Sequence, residues 1–199
     1  MRLPNAAHTS RPWRIHALTR DFRLEDVWAL PTPGGRDDFP RLVQGIASGL
    51  LDPSQGSSRA ARTLWAIRWK LGELLSWDGP DAGLGFRVPT RDRMPVDLRE
   101  APSGPNLQRF TSLYLLDDEW AAEIANRTVH GVLHIGWVPD GAGGYRGQLA
   151  VYVKPNGVLG TAYMAAIAPF RHLIVYPAMM RQIARNWRAS AGDPTLAHA

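Results

Sequence analysis

The sequence predicts an α+β domain: a curved antiparallel sheet wrapping one long C-terminal helix, with two shorter helices after the first strand. Three features predict it. Residues 109–154 read as four strands joined by short turns. Residues 158–188 carry apolar side chains at helical spacing. Residues 39–77 hold two further helical stretches.

In chain order, residues 12–18 (PWRIHAL) alternate weakly and predict the first strand, and residues 24–30 predict a short helical turn or a strand. Pro31-Thr-Pro-Gly-Gly35 is a loop. Asp37 or Asp38 is placed to cap a helix through Phe39, Leu42, Val43 and Ile46, with Pro40 in its first turn and Gly49 near its end. Residues 59–77 predict the next helix: Leu64, Ile67, Leu71 and Leu74 recur at helical spacing, and Trp65 and Trp69 sit one turn apart. Residues 78–108 are rich in Pro and Gly. A loop of that length suits a flap over a site or a floppy insertion, with room for a short strand or helical turn near residues 95–99.

The strands that follow are residues 109–116, 119–125, 128–137 and 145–154. They turn at Asp117-Asp118, at Asn126-Arg127 and through the Gly-rich residues 139–144. Side chains alternate along a strand, so Val129, Leu133, Ile135, Trp137, Tyr145, Leu149, Val151 and Val153 share one face of the last pair. His130, His134, Arg146, Gln148 and Tyr152 share the other. The first set is expected inside and the second mostly in solvent. On the neighbouring strand Trp120, Ala122 and Ile124 have the inner parity, and Glu119 and Glu123 the outer. In the last helix Tyr163, Ile167, Phe170 and Ile174 form one stripe and Met180, Ile183, Ala184 and Trp187 another. A kink is expected near Pro169 or Pro177. A single domain is expected over residues 10–190, with residues 1–9 and 190–199 as flexible termini.

Composition narrows the function. At 199 residues, 45% hydrophobic and 21% charged, the chain fits one soluble domain with a sizeable core. It has no Cys, so disulfides, thiolate nucleophiles and Cys-ligated metals are excluded. Eight Trp bring large buried area, and each indole N–H needs an acceptor. The net charge is +5, yet the Arg residues are scattered and no nucleic-acid-binding signature is present, so no nucleic-acid partner is expected. The most apolar stretch, residues 158–180, is interrupted by Pro169, Arg171, His172 and Pro177, so no membrane span is expected. Residues 1–14 lack an apolar signal core, and the cytoplasm is the expected location.

No residue cluster spells out a reaction. His130 and His134 lie four residues apart on a strand, roughly 13 Å, too far for one ion, and no metal is expected there. Gly141-Ala-Gly-Gly-Tyr-Arg-Gly147 resembles a dinucleotide loop but leads into a strand, not a helix, and reads as a hairpin turn. No cofactor is implied. Asp117, Asp118, Glu119 and Glu123 are dense, but a catalytic acid needs an apolar setting, and these fall on a turn and the predicted outer face. In Phe170-Arg-His172, Arg171 lies beside the apolar stripe, where it serves a ligand carboxylate or phosphate or an internal ion pair.

Several stretches carry a family resemblance: Phe110-Thr-Ser-Leu-Tyr-Leu-Leu-Asp-Asp-Glu-Trp120, Asn126-Arg-Thr-Val-His-Gly131, His134-Ile-Gly-Trp-Val138, Lys154-Pro-Asn-Gly157, Tyr163-Met-Ala-Ala-Ile167 and Pro169-Phe-Arg-His172. They resemble the bacterial family called domain of unknown function 2867, over roughly residues 10–188. The element order resembles the helix-grip fold of START, Bet v 1 and polyketide-cyclase-like (SRPBCC) proteins. The resemblance implies a cavity between sheet and C-terminal helix and a small apolar or aromatic ligand, but no catalytic residue. Tyr114, Trp120, Leu133, Trp137, Leu149, Tyr163, Ile167 and Phe170 are the expected lining, with Arg171 as a polar anchor. Two alternatives stay open. One is a cyclase-, dehydratase- or hydrolase-type enzyme using the same cavity. The other is an accessory domain of an NAD(P)-dependent oxidoreductase system, because some members of the family are joined to short-chain-dehydrogenase-like domains. No such domain is legible in these 199 residues. A monomer or homodimer is expected.

Overall fold

The computed structural model describes residues 1–49, 89–107, 110–125 and 129–190; the side chains of Leu159, Tyr163 and Phe170 lie outside that set. The helix expected over residues 59–77, the Asn126-Arg127 turn and the C-terminal tail fall outside it as well.

One six-stranded antiparallel sheet organises the chain. Its strands are β1 (Arg2–Leu3), β2 (Arg23–Ala29), β3 (Thr111–Leu115), β4 (Glu119–Ala125), β5 (Val129–Pro139) and β6 (Tyr145–Pro155), in the spatial order β1-β2-β6-β5-β4-β3. The meander from β3 to β6 follows the sequence expectation. Asp117 and Asp118 turn the first hairpin, and Gly141 and Gly143 turn the last at φ 86° and 93°, a region that favours glycine. The register pairs Trp120 with Ile135, Leu133 with Val151 and Ile135 with Leu149, so these side chains share one face.

Short helices fill the connections. These are α1 (Ala6–Thr9), α2 (Ile15–Leu18), α3 (Phe39–Ala47) and α4 (Val96–Glu100), the last preceded by a 3-10 turn at Thr90–Arg93. Asp38 stands at the N-cap of α3, but its carboxylate accepts from the Gly35 N–H at 2.7 Å rather than from the helix. Gly49, at φ 89°, ends the helix with its N–H on the Ile46 carbonyl. The C-terminal stretch is α5 (Gly157–Phe170), a π-helical turn (Arg171–Val175) and α6 (Tyr176–Ser190). Pro177 has no N–H to give to the carbonyl four residues back, which breaks the ladder where the sequence predicts a kink.

On the helix face, Phe39, Leu42, Val43 and Ile46 of α3 and Tyr176, Met179, Ile183 and Trp187 of α6 pack on Trp28, Trp120, Ile135, Trp137 and Leu149. The approach is close at Gly147, where a Cβ would sit 2.9 Å from both Leu30 and Leu42. Two indoles fasten the loop before α3: Trp137 Nε1–H donates to the Gly35 carbonyl at 3.0 Å, and Trp187 Nε1–H to that of Pro33 at 2.9 Å.

Four sequence expectations need correction. Residues 12–18 hold no strand; their Ile15 and Leu18 lie one turn apart and are buried by α2, and the first long strand is β2. Residues 1–9 do not trail free, because β1 pairs with β2 and His8 is fully buried. Within the 78–108 loop, Met94 and Leu98 are buried in the core rather than carried on a free flap. The largest correction concerns the sheet's outer face. His130, His134, Gln148, Tyr152, Glu119 and Glu123 are buried, not in solvent. The N-terminal helices, Phe22, Met94 and Leu98 form a second layer over them, packed with Leu113, Tyr114, Ala121 and Val132 of the sheet. Polar residues survive there because nearly every one finds a hydrogen-bond partner.

Candidate functional site

The far face of the sheet carries a dense polar network. Glu119 Oε2 accepts from His134 Nε2–H at 2.7 Å and from the Tyr114 hydroxyl at 3.3 Å, while Oε1 accepts the Arg14 backbone N–H at 3.0 Å. Burial, then the Glu119 charge, pushes the Tyr114 hydroxyl far above its ordinary value, so it donates. Burial outweighs Glu119 at His134 and lowers its pKa, leaving a neutral ring. Further along, His130 Nε2 lies 2.9 Å from Glu123 Oε2, which also accepts the Thr90 N–H at 3.1 Å. Burial works to raise the Glu123 carboxyl, but the bonds from His130 and Thr90 hold it below its ordinary value. The two strand histidines thus face different carboxylates. Among the described residues no group of three or more His, Asp or Glu is placed to hold a metal ion.

His8, Tyr152 and His16 form a chain whose protons can be counted. Gln148 Nε2–H donates to the Ala7 carbonyl at 3.3 Å, which turns Oε1 toward His8; His8 Nδ1–H therefore donates to it at 3.1 Å. A neutral His8 then accepts from the Tyr152 hydroxyl through Nε2 at 2.9 Å. His16 Nε2–H donates to the Arg11 carbonyl at 3.0 Å, and its Nδ1 lies 3.1 Å from the same Tyr152 oxygen. That last bond forms only when His16 Nδ1 also carries a hydrogen.

Burial, then the proximity of the His134 ring, which disfavours a second charge beside it, lowers the His8 pKa to about 3 from an ordinary 6.5. Between those values the unfolded chain binds a proton at His8 that the folded chain refuses, so stability rises with pH. The predicted loss from pH 7 to pH 5 is about 2 kcal/mol. Urea midpoints at the two pH values should show that slope in the native sequence and a flatter one in His8→Gln; equal slopes would contradict it.

A second cluster lies on the helix face, and two backbone irregularities build it. The register of β2 against β6 slips between Leu24 and Asp26. This bulge puts Asp26 opposite Val151 and Trp28 opposite Leu149, on the helix face. Opposite the bulge, the π turn presents Arg171 and His172, and α6 begins with Tyr176. All converge on the fully buried Asp26 carboxylate. Oδ1 accepts from His172 Nε2 at 2.7 Å; Oδ2 accepts from the Tyr176 hydroxyl at 3.1 Å and pairs with Arg171 at 3.0 Å. Arg2 adds a guanidinium 3.3 Å from Oδ1, and Arg171 also reaches Glu25 at 3.5 Å. Burial, then the Asp26 charge, raises the Tyr176 hydroxyl well above its ordinary value, so it too remains a donor. The Tyr176 ring packs on Trp28, centroids 4.6 Å apart.

The sequence-predicted site residues divide among these surroundings. Trp120, Trp137 and Leu149 share one buried cluster beneath α6, with Leu133 packed against it. Tyr114 is a correction: the β3 irregularity between Ser112 and Tyr114 leaves Tyr114 in the far-face core, across the sheet from Trp120. Ile167 is half-buried in α5, and Arg171 stands at the helix break. The side chains of Tyr163 and Phe170 lie outside the described set. Sequence reasoning missed Asp26 and Tyr176. The available clue to Asp26 was a carboxylate directly before the apolar run Val27-Trp-Ala-Leu30 of β2 and the loop after it. Away from the sheet, α3 and α6 flank a groove of about 160 Å³ lined by Arg41, Gln44, Ser48, Asn186 and Trp187. There Arg41 stacks 3.8 Å over the Trp187 ring.

No helix among the described residues is long and apolar enough to cross a membrane. No curated protein and no solved structure matches the chain. One family model does, over residues 18–178, and that span holds both β2 with its bulge and the helix break; the chain belongs to the family described as protein of unknown function DUF2867.

Proposed function

We propose that this protein binds an apolar or aromatic small molecule between the sheet and the C-terminal helices. The observation that carries the reading is the meeting of a β-bulge and a π turn at one buried carboxylate, beside an aromatic core. Such irregularities cost regular hydrogen bonds and concentrate at functional sites. The helix-grip arrangement is the fold that goes with this reading. Its support is the strand order, which sets β2 beside β6, and the C-terminal helix packed on that sheet. Trp120, Leu133, Trp137 and Leu149 supply the floor, α5 with Ile167 the opposite wall, and Arg171 the polar rim. The test is thermal unfolding with 2-naphthylmethanol as probe. At tenfold its Kd the native sequence should gain about 1.4 kcal/mol, roughly 3–6 °C. Trp137→Ala should melt lower and gain nothing from the probe; an undiminished shift in the variant would count against the site.

A second reading, a cyclase-, dehydratase- or hydrolase-type enzyme on the same site, is favoured by one observation. The carboxylate of Asp26 holds His172 through Nε2 while the ring keeps 28% of its surface exposed. A histidine oriented in this way through one nitrogen offers the other as a base. Under that reading His172→Gln retains binding and ends turnover.

A further inference from the structure

Five indoles lie among the described residues, and three donate to a neighbour: Trp120 to Ser112 Oγ at 2.9 Å, Trp137 to Gly35 and Trp187 to Pro33. Trp13, on the far face, and Trp28 do not; among the described residues each Nε1–H is buried without a partner. Arg171 Nε–H is buried without a partner as well. A buried donor left unmade is costly, and in a native structure each such case calls for an acceptor. Those of Trp28 and Arg171 belong to one locus. Trp28 packs on the Tyr176 ring, the Tyr176 hydroxyl meets Asp26, and Asp26 pairs with Arg171. Both orphans here are donors, and the acceptors nearby are already engaged: Asp26 takes His172, Tyr176 and Arg171, and Glu25 takes Arg23 and Arg171. Charge points the same way. Among the described residues three guanidiniums, from Arg2, Arg23 and Arg171, stand against the two carboxylates of Glu25 and Asp26. One positive charge is left over.

We infer that the ligand of this site is an apolar or aromatic carboxylate, whose oxygens accept from Trp28 Nε1–H and Arg171 Nε–H while its apolar body lies on the aromatic core. The inference rests on the small-molecule reading above and gives that ligand its chemical class. A monoanion balances the leftover charge, and a planar carboxylate offers lone pairs to an indole and a guanidinium donor at once.

The experiment is isothermal titration of the full chain with 2-naphthoate and with 2-naphthylmethanol, which share a ring system and differ in the head group. The expected result is binding of both, with the naphthoate at least tenfold tighter. Trp28→Phe keeps a ring and removes the N–H, so it should weaken the naphthoate about tenfold and change the alcohol less than twofold. Arg171→Lys keeps the charge beside Asp26 and removes Nε–H; it should erode the same preference. Near-UV circular dichroism of both variants confirms that they fold. Equal affinity for the two probes, or a preference that survives both variants, overturns the carboxylate assignment and leaves the small-molecule reading standing; an ordered water is then the partner of the two donors. Binding of neither probe overturns both.

Discussion

Asp26→Ala should cost about 3 kcal/mol or more, lowering Tm by roughly 6–12 °C for a domain of this size. The carboxylate is fully buried and gathers Arg171, His172 and Tyr176 from the C-terminal helices onto β2. Removing it leaves a mostly buried guanidinium with only the longer 3.5 Å contact to Glu25, and a buried hydroxyl without an acceptor. That penalty, rather than the net worth of the ion pair, sets the magnitude. Asp26→Asn keeps the shape and some acceptor capacity, so its loss should be smaller. Chemical denaturation of the three proteins reads the difference. An Asp26→Ala variant within 1 kcal/mol of the native sequence would mean that the cluster is solvated and that the helix break is not anchored there.

Glu119→Ala is the matching change on the other side of the sheet, with an expected loss of about 4 kcal/mol. Three donors lose their acceptor together: the His134 ring, the Tyr114 hydroxyl and the Arg14 backbone N–H. Each buried orphan costs about 1–3 kcal/mol. Because the Arg14 bond ties the turn before α2 to β4, the N-terminal layer should loosen first. Hydrogen exchange should show faster amides in residues 6–18 while β5 and β6 stay protected. Uniform loss of protection over the sheet would contradict that order. Glu119→Gln retains one acceptor oxygen and should lie between the two.

What the sequence made legible follows from the range of each interaction. The meander was readable because its turns are local: two aspartates at 117–118 and glycines at 141 and 143 sit where tight reversals need them. The start of α3 was readable to within a residue from Asp37, Asp38 and Pro40, and the helix break from the pair Pro169 and Pro177 that brackets it. Parity along β5 and β6 was readable as well, and Leu133, Ile135, Trp137 and Leu149 do share a face. The far face was misread because parity says which side chains stand together, not what covers them. His130, His134 and Tyr152 look like a solvated edge until residues more than a hundred positions away arrive. The partner of Tyr152, His8, lies 144 residues distant. Residues 12–18 failed for a related reason. Weak alternation and an Ile15–Leu18 helical pair coexist in PWRIHAL, and tertiary packing chose the helix. At the site, Arg171 was readable as a polar residue beside an apolar stripe. Asp26 was not, because the bulge that turns it onto the helix face depends on pairing with β6.

Native mass spectrometry of the purified protein, beside the same sample denatured, tests the central claim most directly. The expected result is a mass excess over the 22.0 kDa chain that vanishes on denaturation, and a released molecule that is apolar or aromatic. A bare chain, or a clean multiple of it, from protein purified without detergent or organic solvent would contradict a small molecule held between sheet and helices.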